Sequence, residues 1–309
     1  MRIVFMGSPA FAVPSLEGLR GAGHEIPLVV TQPDRPAGRG QALAAPPVKR
    51  AALRHGLSLL QPERLGDPAV LSALAAARPE AIVVVAFGQF LPRAVREQPR
   101  HGAVNVHASL LPRYRGAAPI NWALIRGERE TGVSIMRVEA AMDAGPILLQ
   151  CACPILPDDT AGSLHDRLAP LGASALLAAL PILAAGQARW RPQDAAGAVP
   201  APKLQDADCR LDLAGEPGPL VDRIRGLSPA PGAYLCGESG RRLKVLRAAP
   251  AAGRGAPGIV LRVDGNGLVV GAGAGGALSL LEVQPEGKRR MPGAEYARGK
   301  RLAAGMACV

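Results

Sequence analysis

Aromatic residues are scarce in this 309-residue sequence, at 3%, which argues against nucleic-acid recognition through a platform of base-stacking rings. Cysteines are few and odd in number. The five, Cys151, Cys153, Cys209, Cys236 and Cys308, are too scattered for a disulfide framework or a zinc site, so reduced thiols and no metal are expected. The one close pair, Cys151 and Cys153, has the spacing that puts both thiols on one face of a strand. No run reaches the roughly 18 uninterrupted apolar residues of a bilayer span, although hydrophobic residues make up 48% of the chain. The N-terminal MRIVFMGSPAFAVP meets Gly7 and Pro9 before its apolar stretch is long enough for a signal-peptide core. It is expected to be a buried first strand of a cytoplasmic protein with no membrane partner. Two motifs are also missing. After that strand, G-x-G-x-x-G would need glycines where Pro9 and Ala12 stand, which argues against NAD or FAD. G-x-S-x-G is absent, so a covalent acyl-enzyme has no nucleophile elbow to form on.

What the sequence has in excess is positive charge. Lysine and arginine total 36 against 25 aspartate and glutamate, a net charge of +11 and a pI near 10.2, which suggests a polyanionic partner. Only five of the 36 basic residues are lysine. That bias toward arginine can reflect genome composition, but exchanging Lys for Arg leaves the net charge unchanged. From residue 208 to 309 there are 15 basic and nine acidic residues, so about a third of the chain carries roughly half of the excess.

Length favours two domains on a shared linker. Segments 1–7, 25–33, 81–88 and 102–110 are short, apolar, β-branched runs bounded by turn residues and read as buried strands. Stretches 14–23, 46–56 and 68–78 between them suit helices, and 163–186 suits a later helix with a broad apolar face. Alternation of this kind implies a doubly wound α/β domain with a mostly parallel sheet. Residues 190–207, rich in proline and small residues without periodicity, read as an exposed linker. Beyond it, 241–249, 257–273 and 276–287 are short strands separated by turns, the pattern of a small antiparallel barrel. The expected domains are therefore 1–189 and 208–309.

Four places can carry chemistry. Gly7 and Ser8 close the first strand, where open α/β sheets bind ligands. Residues 31–41, TQPDRPAGRGQ, form a long loop that Arg35, Arg39, Lys49 and Arg50 make basic; it is either a solvated insert or a contact for a phosphate backbone. Asn105 and His107 stand two apart on a strand and so share a face, with Val106 on the other. They either satisfy each other in a structural network or converge on one reacting atom, Asn105 donating to a developing oxyanion and His107 moving a proton. Asp143, before Ala144 and Gly145, is either a turn residue or the carboxylate partner of His107.

Asn105-x-His107-x-Ser109-Leu110-Leu111-Pro112, then Tyr114-Arg115-Gly116-Ala117-Ala118-Pro119-Ile120, then Asp143-Ala-Gly-Pro, closely resembles the folate-dependent formyltransferases. GSPAFAVP, TQPDRPAGRGQ, SPAPGAY (228–234) and VQPEGKRRM (283–291) extend the resemblance over nearly the whole chain, the second and last of these matching the branch that acts on tRNA. The resemblance implies a Rossmann-like formyltransferase fold followed by an OB-like β-barrel. It implies transfer of a formyl group from 10-formyltetrahydrofolate, as co-substrate, to the free α-amino group of initiator methionyl-tRNA. Asn105, His107 and Asp143 would be catalytic; Ser109, Leu110, Leu111, Pro112, Phe87 and Gly88 would contact the folate. Arg35, Arg39, Lys49, Lys288 and Arg289 would contact the tRNA, with the basic insert near Arg39 entering the major groove of the acceptor stem. A monomer is expected. The insert departs from the family pattern in that Gln41, Ala42 and Leu43 follow Gly40 where lysines are usual, which puts more weight on Arg39. The same Asn-His-Asp set would also serve a nucleotide-linked amino sugar, but a small substrate has no need of the basic insert and basic second domain.

Overall fold

The computed structural model describes residues 1–37, 42–237, 240–265 and 267–309. Arg39 and Gln41 of the insert lie outside the described residues. Contacts divide the chain into two compact units, one of residues 1–116, 130–154 and 165–201, the other of 117–129, 155–164 and 202–309.

In the first unit the apolar runs become strands β1 (Arg2–Gly7), β2 (Glu25–Val30), β3 (Leu59–Leu60), β4 (Ala81–Val85), β5 (Ala103–His107), β6 (Glu130–Arg137) and β7 (Ile147–Pro154). They form one sheet in the order β7-β6-β5-β4-β1-β2-β3. The five strands β5, β4, β1, β2 and β3 run parallel, and β6 and β7 close the edge antiparallel. Helices α1 (Val13–Gly21), α2 (Pro47–Arg54) and α3 (Pro68–Ala76) start on prolines at their first or second position, where the missing N–H costs nothing. Val4 and Met6 join Leu74, Val84 and Val95 in one buried cluster, while Ile3 and Phe5 between them are buried as well. Both faces of the sheet are thus covered, which explains strands without polar alternation. Helix α4 (Ala161–Ala184) has the length and apolar composition of a membrane span. Here it packs on the sheet, with Gly172 against Val106 and Leu168, Leu176 and Leu180 buried.

Chain order reverses at β1, which passes to β2 on one side and has β4 on the other. The carboxyl ends at this switch point are where an open α/β sheet leaves a crevice. Residues 190–201, expected as an exposed linker, run along the first unit. Arg191 pairs antiparallel with Ile147, and strand Val199–Pro200 pairs parallel with Arg113–Arg115.

The second unit is an antiparallel sheet in the order β8 (Ala233–Cys236), β9 (Arg242–Ala251), β12 (Ala277–Pro285), β11 (Gly267–Gly271), β10 (Val260–Asp264). Its core gathers Leu220, Ile224, Val245, Leu268, Val270, Leu278 and Leu280, two of them from helix α5 (Pro217–Leu227). Helix Pro119–Ile125 belongs to this unit, where the Asn121 amide donates to the Gly226 carbonyl at 2.7 Å.

Candidate active site

The site lies on the sheet face opposite α4. Alternation along β5 turns Val106 toward Gly172 of α4 and leaves Asn105 and His107 on the other side. His107 is buried, at 6% exposure, and its Nε2 sits 2.9 Å from the carbonyl oxygen of Tyr114. A carbonyl only accepts, so Nε2 carries the hydrogen. The other ring nitrogen, Nδ1, faces Asp143 Oδ2 at 3.7 Å, beyond a direct hydrogen bond.

Asp143 is held rather than loose. Its Oδ2 accepts the Gly116 N–H at 2.9 Å, and its backbone takes φ +50°, a left-handed conformation uncommon for a residue with a side chain. Gly116 itself has φ +125°, and a Cβ there would press on the Ala201 carbonyl. Asn105 is half-buried and its carboxamide has no hydrogen-bond partner among the described residues. A reciprocal Asn105–His107 network is therefore not what holds the pair. Two unused amide hydrogens on the face of His107 are what an oxyanion needs.

The loop after β5 is fastened from below. Ser109 is fully buried and its hydroxyl donates to the Arg113 carbonyl at 2.6 Å. Ser134 Oγ donates to the Ser109 carbonyl at 2.7 Å and accepts from the Leu111 N–H at 3.1 Å and the Gln150 amide at 2.9 Å. Leu111 is buried with Met136 and Ile147. Ser109 and Leu111 thus hold the loop, while Leu110 and Pro112 keep accessible surface. Neither Ser134 nor Gln150 was singled out by sequence reasoning. Gln150 is a polar residue in an otherwise apolar strand and Ser134 interrupts the apolar run Val133, Ile135, Met136, and the register lines up His107, Ser134 and Gln150 in one cross-strand row.

At the switch point, Ser8 Oγ accepts the Gln32 N–H at 3.0 Å, and the Gln32 amide donates to the Phe87 carbonyl at 3.2 Å. Phe87 is buried at 2% exposure, so its ring packs inward. Gly88 follows at φ +84°, and a Cβ on it would meet only the Gln32 amide, at 3.9 Å. Space is therefore open above Gly88, next to a backbone that a planar ligand can approach.

Two of the cations at the insert, Lys49 and Arg35, are paired. Lys49 Nζ lies 2.8 Å from Asp34, and Arg35 lies 3.1 Å from Glu63. Hydrogen bonds from Gln61 and Lys49 hold the Asp34 carboxyl below the usual carboxylate range. The Arg35–Glu63 pair is exposed and the Lys49–Asp34 pair is half-buried. In the second unit Arg289 lies 3.8 Å from Glu295, and Lys288 is exposed with no ion pair among the described residues. No group of three or more His, Cys, Asp and Glu side chains gathers among the described residues.

The doubly wound sheet followed by an antiparallel unit is the architecture of a class, the formyl transferases, and their model matches residues 1–180, with that of their C-terminal domain matching residues 203–301. Over 305 residues the chain is 47% identical to methionyl-tRNA formyltransferase of Geobacter sulfurreducens, covering 99% of this chain and 96% of that protein. It is 49% identical over 305 residues to the enzyme of that name from Syntrophus aciditrophicus, covering 98% and 97%. The chain belongs to the methionyl-tRNA formyltransferase family. Its fold is also that of HypX from Aquifex aeolicus, solved with tetrahydrofolic acid, at a TM-score of 0.67 and 19% identity. That match covers 96% of this chain and 47% of HypX, so the chain spans about half the length of HypX.

Proposed function

We propose that this chain transfers the formyl group of 10-formyltetrahydrofolate to the free α-amino group of methionine esterified to initiator tRNA, with Asn105, His107 and Asp143 as catalytic residues. The observation that carries this reading is the unused Asn105 amide on the sheet face it shares with His107, whose Nδ1 faces the Asp143 carboxylate. Relatives at 44–49% identity over almost the full chain support methionyl-tRNA as acceptor over a nucleotide-linked amino sugar.

The ester-linked methionine has an amine of lowered basicity, so a useful fraction is uncharged near neutral pH. Its nitrogen attacks the formyl carbon, a C–N bond forms, and the carbonyl electrons move to oxygen. Asn105 donates to that oxyanion, a contribution of about 3 to 4 kcal/mol for one good donor. The attacking nitrogen loses its proton to the His107–Asp143 pair. Nδ1 is where the ring takes it, because Nε2 is committed to Tyr114. Collapse of the intermediate breaks the bond to folate N10, which gains a proton, leaving formylmethionyl-tRNA and tetrahydrofolate.

In this reading Gly88, Leu110 and Pro112 offer surface to the folate, and Phe87, Ser109 and Leu111 shape it from behind. Residues 1–189 carry the chemistry, and 208–309, with Lys288 and Arg289, join Arg35, Arg39 and Lys49 on the tRNA. The enzyme acts as a cytoplasmic monomer and its steps are assigned to protein groups throughout. The test is incubation with 10-formyltetrahydrofolate and either methionyl-tRNA or an amino-sugar nucleotide. Formyl transfer to tRNA is expected, and transfer to the sugar alone overturns the reading. Asn105→Ala is expected to lower kcat by about 10²- to 10³-fold with tRNA binding intact in a filter assay; a near-normal rate would remove the oxyanion role.

A further inference from the structure

We propose that Gln193, in the segment of the first unit that follows α4, is a positioning residue that sets the catalytic geometry of Asp143. The inference rests on the catalytic assignment of Asp143 made above.

The Gln193 amide nitrogen donates to the Asp143 carbonyl at 2.8 Å and to the Gly145 carbonyl at 2.7 Å. Its Oε1 accepts from Arg115 Nε at 2.9 Å. This orientation is the one the partners require, since a flipped amide would turn its oxygen onto two carbonyls. One side chain thus joins the loop that carries Asp143 to the Tyr114–Gly116 segment that grips His107 Nε2 and the Asp143 carboxylate.

The tie matters because the Asp143 backbone stands at φ +50°, a conformation that costs free energy for a side-chain-bearing residue and persists where surroundings impose it. Among the described residues, the Asp143 and Gly145 carbonyls receive the two Gln193 hydrogens on either side of that strained peptide. Gly145 is itself pinned, since a Cβ there would collide with the Arg137 carbonyl. The flanking chain delivers Gln193 with little freedom. Trp190 stacks on the Arg137 guanidinium at 4.6 Å, Arg191 pairs with Ile147, and Val199 to Ala201 pair with the 112–115 segment. A shift of about 1 Å in a catalytic group can cost on the order of 10²-fold in rate, and the 3.7 Å gap between His107 Nδ1 and Asp143 Oδ2 is set by where this loop stands.

The experiment compares Gln193→Ala, Gln193→Glu, Asp143→Asn and the double variant Gln193→Ala/Asp143→Asn in the full-length enzyme. Gln193→Glu keeps the shape and loses both N–H donors, so a merely space-filling role would leave it active. Expected are a kcat loss of about 10²-fold in both Gln193 variants, KM values for tRNA and folate within about twofold of wild type, and a near-normal melting temperature. The double variant should lose no more than Asp143→Asn alone, as residues acting through one group do. An unchanged kcat in Gln193→Glu, or losses that multiply in the double variant, overturns the inference while leaving Asp143 catalytic. A wild-type rate in Asp143→Asn removes the catalytic assignment and the inference with it.

Discussion

His107 is fixed at one nitrogen, which meets the Tyr114 carbonyl, while the other faces Asp143. Cys308 is 1% exposed and burial pushes its thiol up from 9.0 to about 11. The neighbouring Tyr296 hydroxyl, raised by burial too, donates to the Cys308 carbonyl at 3.4 Å. An acid whose folded pKa is raised favours folding below its unfolded pKa, so the contribution is intact below pH 9 and is lost as pH rises toward 11. Two units correspond to roughly 2 to 3 kcal/mol. The urea midpoint of the wild type should fall between these pH values, and Cys308→Ala should flatten that fall. Parallel declines would assign the alkaline limb to other groups.

Among the elements, the antiparallel pair β6–β7 does most to build the site. Its residues Ser134 and Gln150 hold the loop after β5 from the neighbouring strands. Removing the Ser134 hydroxyl leaves the Leu111 N–H and the Ser109 carbonyl without it, and an unsatisfied buried group costs about 1–3 kcal/mol. Ser134→Ala is therefore expected to lower the melting temperature and to raise KM for the folate more than KM for the tRNA. An unaltered folate KM would show that the loop keeps its shape by other means. The strand itself was hard to foresee. Glu130-Thr131-Gly132-Val133-Ser134 opens with polar residues and a glycine, and only the close approach of Gly132 to the Cys151 carbonyl and Leu110 explains that glycine.

At the scale of the whole molecule, charge is the governing quantity. The net +11 predicts a steep salt dependence of tRNA binding, because each phosphate contact releases counterion. Lys288→Ala and Arg39→Ala should each reduce the log–log slope by about one and weaken binding without lowering kcat. Filter binding over a series of salt concentrations measures this, and an unchanged slope for Arg39→Ala would return the insert to a solvated loop.

The sequence by itself determined the doubly wound domain, since apolar β-branched runs such as Ile3–Met6 and Ile82–Val85 and the helical stretches between them are local patterns, legible within a few residues. It also determined that Asn105 and His107 share a face, because alternation along a strand is a property of the backbone. The antiparallel character of the second domain was readable from turns such as the one at Asp264-Gly265. Only the tertiary structure decided the rest. Asp143 reaches His107 across 36 positions, and Ser134 and Gln150 align with it through strand register. Gln193 sits in a stretch whose proline-rich composition reads as linker, yet it closes on the Asp143 loop. Such contacts depend on where distant segments dock, and the free energy that docks them comes from burial over the whole sheet, which no local pattern encodes.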